Sequence, residues 1–122
     1  ETLGELSSNY TKLVEKEAEL IKPVYKEFND AVEYIERATF LNPDSLEARV
    51  NLGAAYLAAE RYQDAQLVYE LLIEETGGDA DTFYNLGWAF LLQEDAEQAK
   101  EVWEQSAATG YQPASEALNE YF

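Results

Sequence analysis

Acidic side chains are the residues best suited to chemistry in this chain, because histidine and cysteine are both absent. Paired carboxylates occur at three places, Glu74 with Glu75, Asp79 with Asp81, and Glu94 with Asp95. Such pairs are able to bind calcium or to act as acid and base. Each pair falls at a predicted helix end or turn, however, where acids cap helices and interact favourably with the helix dipole. We therefore predict no catalytic residue, no metal ligand and no cofactor.

The charge balance is strongly acidic. The 122 residues include 25 Asp and Glu against 8 Lys and Arg, a formal net charge of -17, and residues 62–122 contain a single base, Lys100. Such a surface repels the phosphates of nucleic acids and anionic membranes and attracts basic ligands, most strongly toward the C-terminal half. A solvated acidic surface that aids solubility is the alternative interpretation.

The sequence predicts a soluble chain without membrane insertion, since charges interrupt every apolar run well short of the roughly 20 residues of a membrane span. It begins at Glu1 and contains no methionine, which suits either a cleaved precursor or a segment of a longer protein. Absence of cysteine is compatible with oxidising and reducing compartments. Localisation thus stays open between the cytoplasm and a processed exported protein.

A regular repeat organises the chain. Alanine recurs at positions 31, 65 and 99, and the pairs Leu52-Gly53 and Leu86-Gly87 recur at the same step. Apolar residues follow a helical spacing throughout, and proline and glycine punctuate it. A period of about 34 residues predicts an all-α fold of stacked antiparallel helix pairs.

Turn and capping residues place these helices. Asp44 as cap, with Glu47 three residues later, predicts a helix that opens near Ser45. The turn is expected at 60–62, and Gly77 is placed to close the second helix in the left-handed conformation. In the next unit Asp79 or Asp81 is expected to cap, with the turn at 94–96 and an end at Gly110.

The helical glycines predict close contact between helices. Glycine inside a helix costs about 1 kcal/mol relative to alanine, so an approach that only glycine permits must offset that cost. We expect Gly53 to lie near Ala65, and Gly87 near Ala99, with flanking aromatic side chains interlocked around them.

These residues resemble the tetratricopeptide repeat family. The matching residues are Phe83, Leu86, Gly87, Phe90, Ala99 and Trp103 in one unit and Leu52, Gly53, Tyr56, Ala65 and Tyr69 in the other, where Arg49 replaces the first aromatic. The resemblance implies a right-handed α-solenoid of antiparallel helix pairs. It would contain about three units, the first degenerate, and a short C-terminal closing helix.

We predict a single domain over residues 1–122. It divides into an N-terminal helix plus degenerate repeat (1–45), two full repeats (46–79 and 80–113) and a closing helix (114–122). An apolar stripe near the N-terminus is expected to cover one end of the stack, with coiled-coil pairing as an alternative. It consists of Leu3, Leu6, Tyr10, Leu13, Leu20 and Val24.

One surface remains for binding, the face of each first helix that points away from its partner helix. We call it the groove face, since the resemblance implies a concave peptide-binding surface built from these helices. It comprises Val50, Asn51, Ala54 and Leu57 in one repeat and Tyr84, Asn85, Trp88 and Leu91 at the equivalent positions of the next. Large apolar residues rimmed by acids indicate an interaction surface. Alternatively, these residues pack the first helices together while the N-terminal helix covers Trp88.

The predicted function is a non-enzymatic scaffold for protein–protein interaction. Asn51 and Asn85 match the asparagine of a clamp with which some family members hold acidic C-termini, but the basic clamp residues are missing. We therefore expect a peptide or helix with apolar anchors and basic flanks. Self-association, through the N-terminal stripe or the closing helix, and a purely structural role in a longer repeat array are the alternatives.

Overall fold

The computed structural model describes residues 28–122, which form six helices and no strand. Within the part of the chain that the structure describes, helix α1 comprises residues 28–41. The others are α2 (Leu46–Ala58), α3 (Tyr62–Thr76), α4 (Ala80–Leu92), α5 (Ala96–Ala108) and α6 (Gln112–Tyr121). The predicted N-terminal stripe lies outside the described residues.

Side-chain caps begin three of the helices. The Asp79 carboxylate accepts a hydrogen bond from the Thr82 amide at 2.9 Å at the start of α4. The Asp95 carboxylate does the same for the Gln98 amide at 3.2 Å at the start of α5. Each bond satisfies one of the amides that a first turn leaves unpaired.

The predicted cap of α2 is wrong by one residue. Ser45, not Asp44, is the N-cap, and its hydroxyl accepts from the Ala48 amide at 3.2 Å. The Ser45 amide donates to the Asn42 carbonyl at 3.0 Å, which closes a turn that leaves Asp44 outside the helix.

The helix ends follow two patterns. Gly77 ends α3 with φ 84°, and its amide donates to the Ile73 carbonyl at 2.8 Å, as predicted. Within each helix pair, by contrast, the turn contains a glutamate in the left-handed region, Glu60 with φ 61° and Glu94 with φ 66°. The two glutamates occupy equivalent positions of successive repeats, so the repeat extends to backbone geometry.

The helices pack in chain order, each of α3, α4 and α5 against the helix before it and the helix after it. Helix α2 also contacts α4 directly, and α1 joins α2 through the Tyr56 hydroxyl, which donates to the Glu36 carboxylate at 2.9 Å. This arrangement is the all-α solenoid that the sequence predicts.

Buried alanines and aromatics from the second helices fill the space between helices. Ala65, Tyr69, Ala99 and Trp103 are all fully buried. The ring of Tyr69 lies over Gly53, where a Cβ atom would be 2.6 Å from it. Gly53 is therefore needed because an aromatic ring from α3 occupies the place of its side chain.

Candidate functional site

The α2 half of the groove face is open to solvent. Val50 is 39% exposed, and Asn51 and Ala54 are also exposed, whereas Leu57 is half-buried. Leu57 packs against the hydrophobic core. The three exposed residues can be reached by a partner without any movement of the core.

A cleft of about 260 Å³ lies beside Val50. Its walls come from three helices and the loop before α4, and are formed by Leu46, Val50, Leu72, Thr76, Gly78, Asp79 and Thr82. Leu46 and Val50 supply apolar surface, while Asp79 adds a carboxylate. Such a cleft suits one apolar side chain of a bound segment.

The α4 half of the groove face is half-buried throughout. The ring of Tyr84 stacks on Trp103, with centroids 6.2 Å apart, and the Trp103 indole N–H donates to the Tyr84 carbonyl at 2.9 Å. Leu91 packs against the core. We expected this face to point away from its partner helix, but Trp103 of α5 contacts Tyr84.

Aromatic residues from α6 and the turn before it extend this surface. Tyr121 meets Trp88 with centroids 5.4 Å apart, and Tyr111 meets Tyr84 at 5.7 Å. We call Tyr84, Trp88, Trp103, Tyr111, Tyr121 and Phe122 the aromatic cluster.

Sequence reasoning did not assign the C-terminal members of this cluster to the groove face. The repeat period could have indicated one of them, because Phe122 lies 34 residues after Trp88, at the equivalent position. Tyr111 and Tyr121 have no aromatic counterpart in the preceding repeat. The packing of α6 brings them to this face.

Three of the paired carboxylates act as a helix cap, a hydrogen-bond acceptor and an ion-pair partner. Asp79 accepts from both the hydroxyl and the amide of Thr82, which lowers the pKa of its carboxyl. Asp81 accepts from the Tyr111 hydroxyl, and this hydrogen bond raises the pKa of Tyr111 to about 12. Glu75 pairs with Arg49 and so ties the end of α3 to α2. Along the whole described range, 28–122, no cluster of three or more acidic, histidine or cysteine side chains is arranged to hold a metal ion.

None of the helices within 28–122 combines the length and apolarity that a membrane crossing requires.

Residues 25–81 match the family model described as Tetratricopeptide repeat. This match supports a tetratricopeptide-repeat protein. No curated protein shows significant similarity to it. Tetratricopeptide repeats generally mediate protein–protein interaction, and their fold is typically a non-enzymatic scaffold.

Arg49, which stands where the repeat pattern has an aromatic residue, makes a different contact from its counterpart in the next repeat. Phe83, the equivalent residue of the next repeat, packs partly buried against the core. Arg49 instead forms the ion pair with Glu75, and its side chain is only 15% exposed. An ion pair between α2 and α3 thus replaces an apolar contact at this position.

Proposed function

We propose that this tetratricopeptide-repeat protein is a non-enzymatic scaffold that binds a peptide or helix with apolar anchors and basic flanks. The observation that carries the proposal is the α2 half of the groove face, where Val50 borders a largely apolar cleft and is itself exposed. The bound segment would place an apolar side chain in this cleft and continue across α4.

Amide side chains supply hydrogen bonds on the same surface. Asn51 is exposed and Asn85 is half-buried, at equivalent positions of α2 and α4, which contact each other. A primary amide donates and accepts together, so it can pair with the backbone of an extended segment whatever its sequence. The two asparagines would therefore bind the backbone of the segment, while the cleft and the acidic charge would select its side chains.

Charge supports a basic partner. Glu47 and Asp81 occupy equivalent positions in the first turns of α2 and α4, and Asp79 lies in the wall of the cleft. Acidic residues of 62–122 far outnumber the single base there, so lysine or arginine beside the anchor gains attraction while acidic segments are repelled.

A matched pair of variants tests the proposal. Random peptides displayed on phage are selected on the full chain, and the affinities of the enriched peptides are then measured by calorimetry. We expect them to combine apolar residues with lysine or arginine. Ala54→Arg places bulk and positive charge on the groove face, and should weaken binding about tenfold or more.

Gln105→Arg is the control, because it makes the same charge change at an exposed site on α5. It should leave the affinity within about twofold, since α5 contributes no residue to the groove face. Equal loss in both variants would show that net charge alone governs binding and would overturn the proposal. Enrichment of acidic peptides would also overturn it.

Light scattering on the full chain separates the alternatives. A monomer that binds the selected peptides supports the proposal. A dimer that Ala54→Arg leaves intact and that selects no peptide supports self-association instead. A monomer that selects no peptide supports a purely structural role.

A further inference from the structure

Trp88, Tyr121 and Phe122 form a partly exposed corner of the aromatic cluster. The ring centroids of Trp88 and Tyr121 lie 5.4 Å apart and the ring planes meet at 83°, which is an edge-to-face contact. Phe122 packs 6.1 Å from Trp103, which is fully buried and supports all three outer rings. A rigid base therefore supports the corner.

The outer rings of this corner are accessible. Tyr121 is 46% and Phe122 50% exposed, and Trp88 is partly exposed. These rings have negative π faces, which attract cations, and tryptophan binds them best. Aromatic side chains with this much exposed surface are suited to contact with a cation from outside the cluster.

The surrounding charge favours such a cation. Glu116 and Glu120 are exposed on α6, and Asp81 contacts Tyr111 inside the cluster. Helix α6 itself contains no base. Carboxylates beside aromatic faces raise the local concentration of basic groups.

The basic side chains of the described residues are engaged elsewhere. Arg37 pairs with Glu33, Arg49 with Glu75, Arg61 with Asp64 and Lys100 with Glu104. Arg61 also lies over the ring of Tyr56 at 4.6 Å, so the chain already contains one arginine–aromatic contact of the kind we expect here. Within 28–122, every basic side chain thus has an acidic partner away from the corner.

We infer that Trp88, Tyr121 and Phe122 form a subsite for one arginine side chain of the bound segment. The inference rests on the proposed function, and names where a basic flank is held. Arginine fits better than lysine, because its planar guanidinium stacks on a ring face and is more weakly hydrated than an ammonium group.

Octa-arginine and octa-lysine are the probes, since they carry equal charge and differ in stacking ability. At about 0.15 M salt, where long-range attraction is screened, octa-arginine should bind the full chain about two- to fivefold more tightly. One exposed cation–π contact supplies a preference of that size. The readout is the dissociation constant by calorimetry, with tryptophan emission recorded in parallel.

Trp88→Leu should reduce octa-arginine binding more than octa-lysine binding and so remove the arginine preference, because it deletes the stacking surface while net charge is preserved. Phe122→Leu serves as a second variant at an exposed position, in case loss of Trp88 alters folding as judged by circular dichroism. Tyr34→Leu, at an exposed tyrosine of α1, is the control and should retain the preference.

Equal affinity of the two probes, or a preference that survives both Trp88→Leu and Phe122→Leu in folded protein, would overturn the subsite. Its failure is separable from that of the proposed function. If Ala54→Arg weakens binding of the phage-selected peptides, but replacing their arginines by lysine does not, the proposed function is supported and the arginine subsite is wrong. If Trp88→Leu removes the arginine preference but Ala54→Arg does not weaken binding of the selected peptides, the subsite is supported and the proposed groove is wrong.

Discussion

The indole of Trp103 occupies the place of a side chain at Gly87. A Cβ atom built on Gly87 would lie far inside van der Waals contact with Trp103 Nε1. From this position the Trp103 indole donates its hydrogen bond to the Tyr84 carbonyl. One residue without a side chain thus allows α4 and α5 to pack and supports the aromatic cluster.

Gly87→Ala should destabilise the fold by about 1 to 3 kcal/mol through overpacking, although alanine is the better helix former by about 1 kcal/mol. Trp103 is fully buried, so its ring has little room to move away. Urea unfolding followed by circular dichroism measures the change. Ala54→Gly at an exposed helical site of α2 is the control and should cost about 1 kcal/mol through propensity alone. A stabilised Gly87→Ala variant would contradict the observed contact.

Tyr69→Phe should stabilise the protein by about 1 kcal/mol, because the buried Tyr69 hydroxyl has no hydrogen-bond partner among residues 28–122 and its deletion removes an unsatisfied polar group. Tyr56→Phe is the matched comparison. It should destabilise by about 1 kcal/mol, since it deletes the bond to Glu36. Equilibrium unfolding in urea at neutral pH gives both values, and the same sign for both would contradict the hydrogen-bond assignment.

The buried hydroxyl of Tyr69 should also make the folded protein less stable at alkaline pH. Burial raises the pKa of Tyr69 from 10.0 to about 12, so the folded state keeps a proton that the unfolded state loses. Stability from this group is present below pH 10 and falls as pH rises toward about 12. Unfolding free energies measured across this range should decline less steeply in Tyr69→Phe than in the parent chain. Parallel curves would rule out this contribution.

Asp79→Ala should cost about 0.5 to 2 kcal/mol by removing the cap of α4, whereas Asp79→Asn should retain much of that stability. Hydrogen bonds from Thr82 hold the pKa of Asp79 below its ordinary value of 3.8. A lowered pKa stabilises the fold above the unfolded value, and the effect is lost as pH falls through the folded value. The difference in unfolding free energy between the parent chain and Asp79→Asn should therefore narrow on acidification. If this difference in unfolding free energy widened on acidification, it would contradict the lowered pKa of Asp79.

Glu94→Gly should stabilise the protein by up to about 1 kcal/mol, because Glu94 adopts a left-handed conformation with φ 66° that costs a non-glycine residue about 1 to 2 kcal/mol. Greater freedom of glycine in the unfolded chain reduces the gain. Glu94→Gln removes the same charge without relieving the backbone, and is the control in thermal unfolding. Equal melting temperatures in the two variants would attribute any gain to charge.

Local patterns in the sequence predicted the helices and their stacking because the forces that form them act over a few residues. The alanines at 65 and 99 are buried as their recurrence indicates, and Gly77 closes α3 in the left-handed region. The cap of α2 was misassigned because Ser45 and Asp44 are both good capping residues. Only the turn before the helix distinguishes them.

The groove face was harder to predict, since the helical wheel describes one helix and not its neighbours. Val50, Asn51 and Ala54 are open as expected, but the wheel could not place Trp103 beneath Tyr84 or Tyr121 beside Trp88. Whether the groove face binds a partner stays a prediction.

The sequence by itself determined the period, the helix pairs, the need for glycine at positions 53 and 87, and the acidic charge. Hydrophobic spacing, capping and backbone preference are properties of short segments, so they can be read from the residues in order. Tertiary structure alone decided which aromatic ring fills each glycine gap, and that α6 joins the aromatic cluster. Those contacts join residues of different helices, such as Tyr69 with Gly53 and Trp88 with Tyr121. Their geometry depends on how whole helices pack against one another.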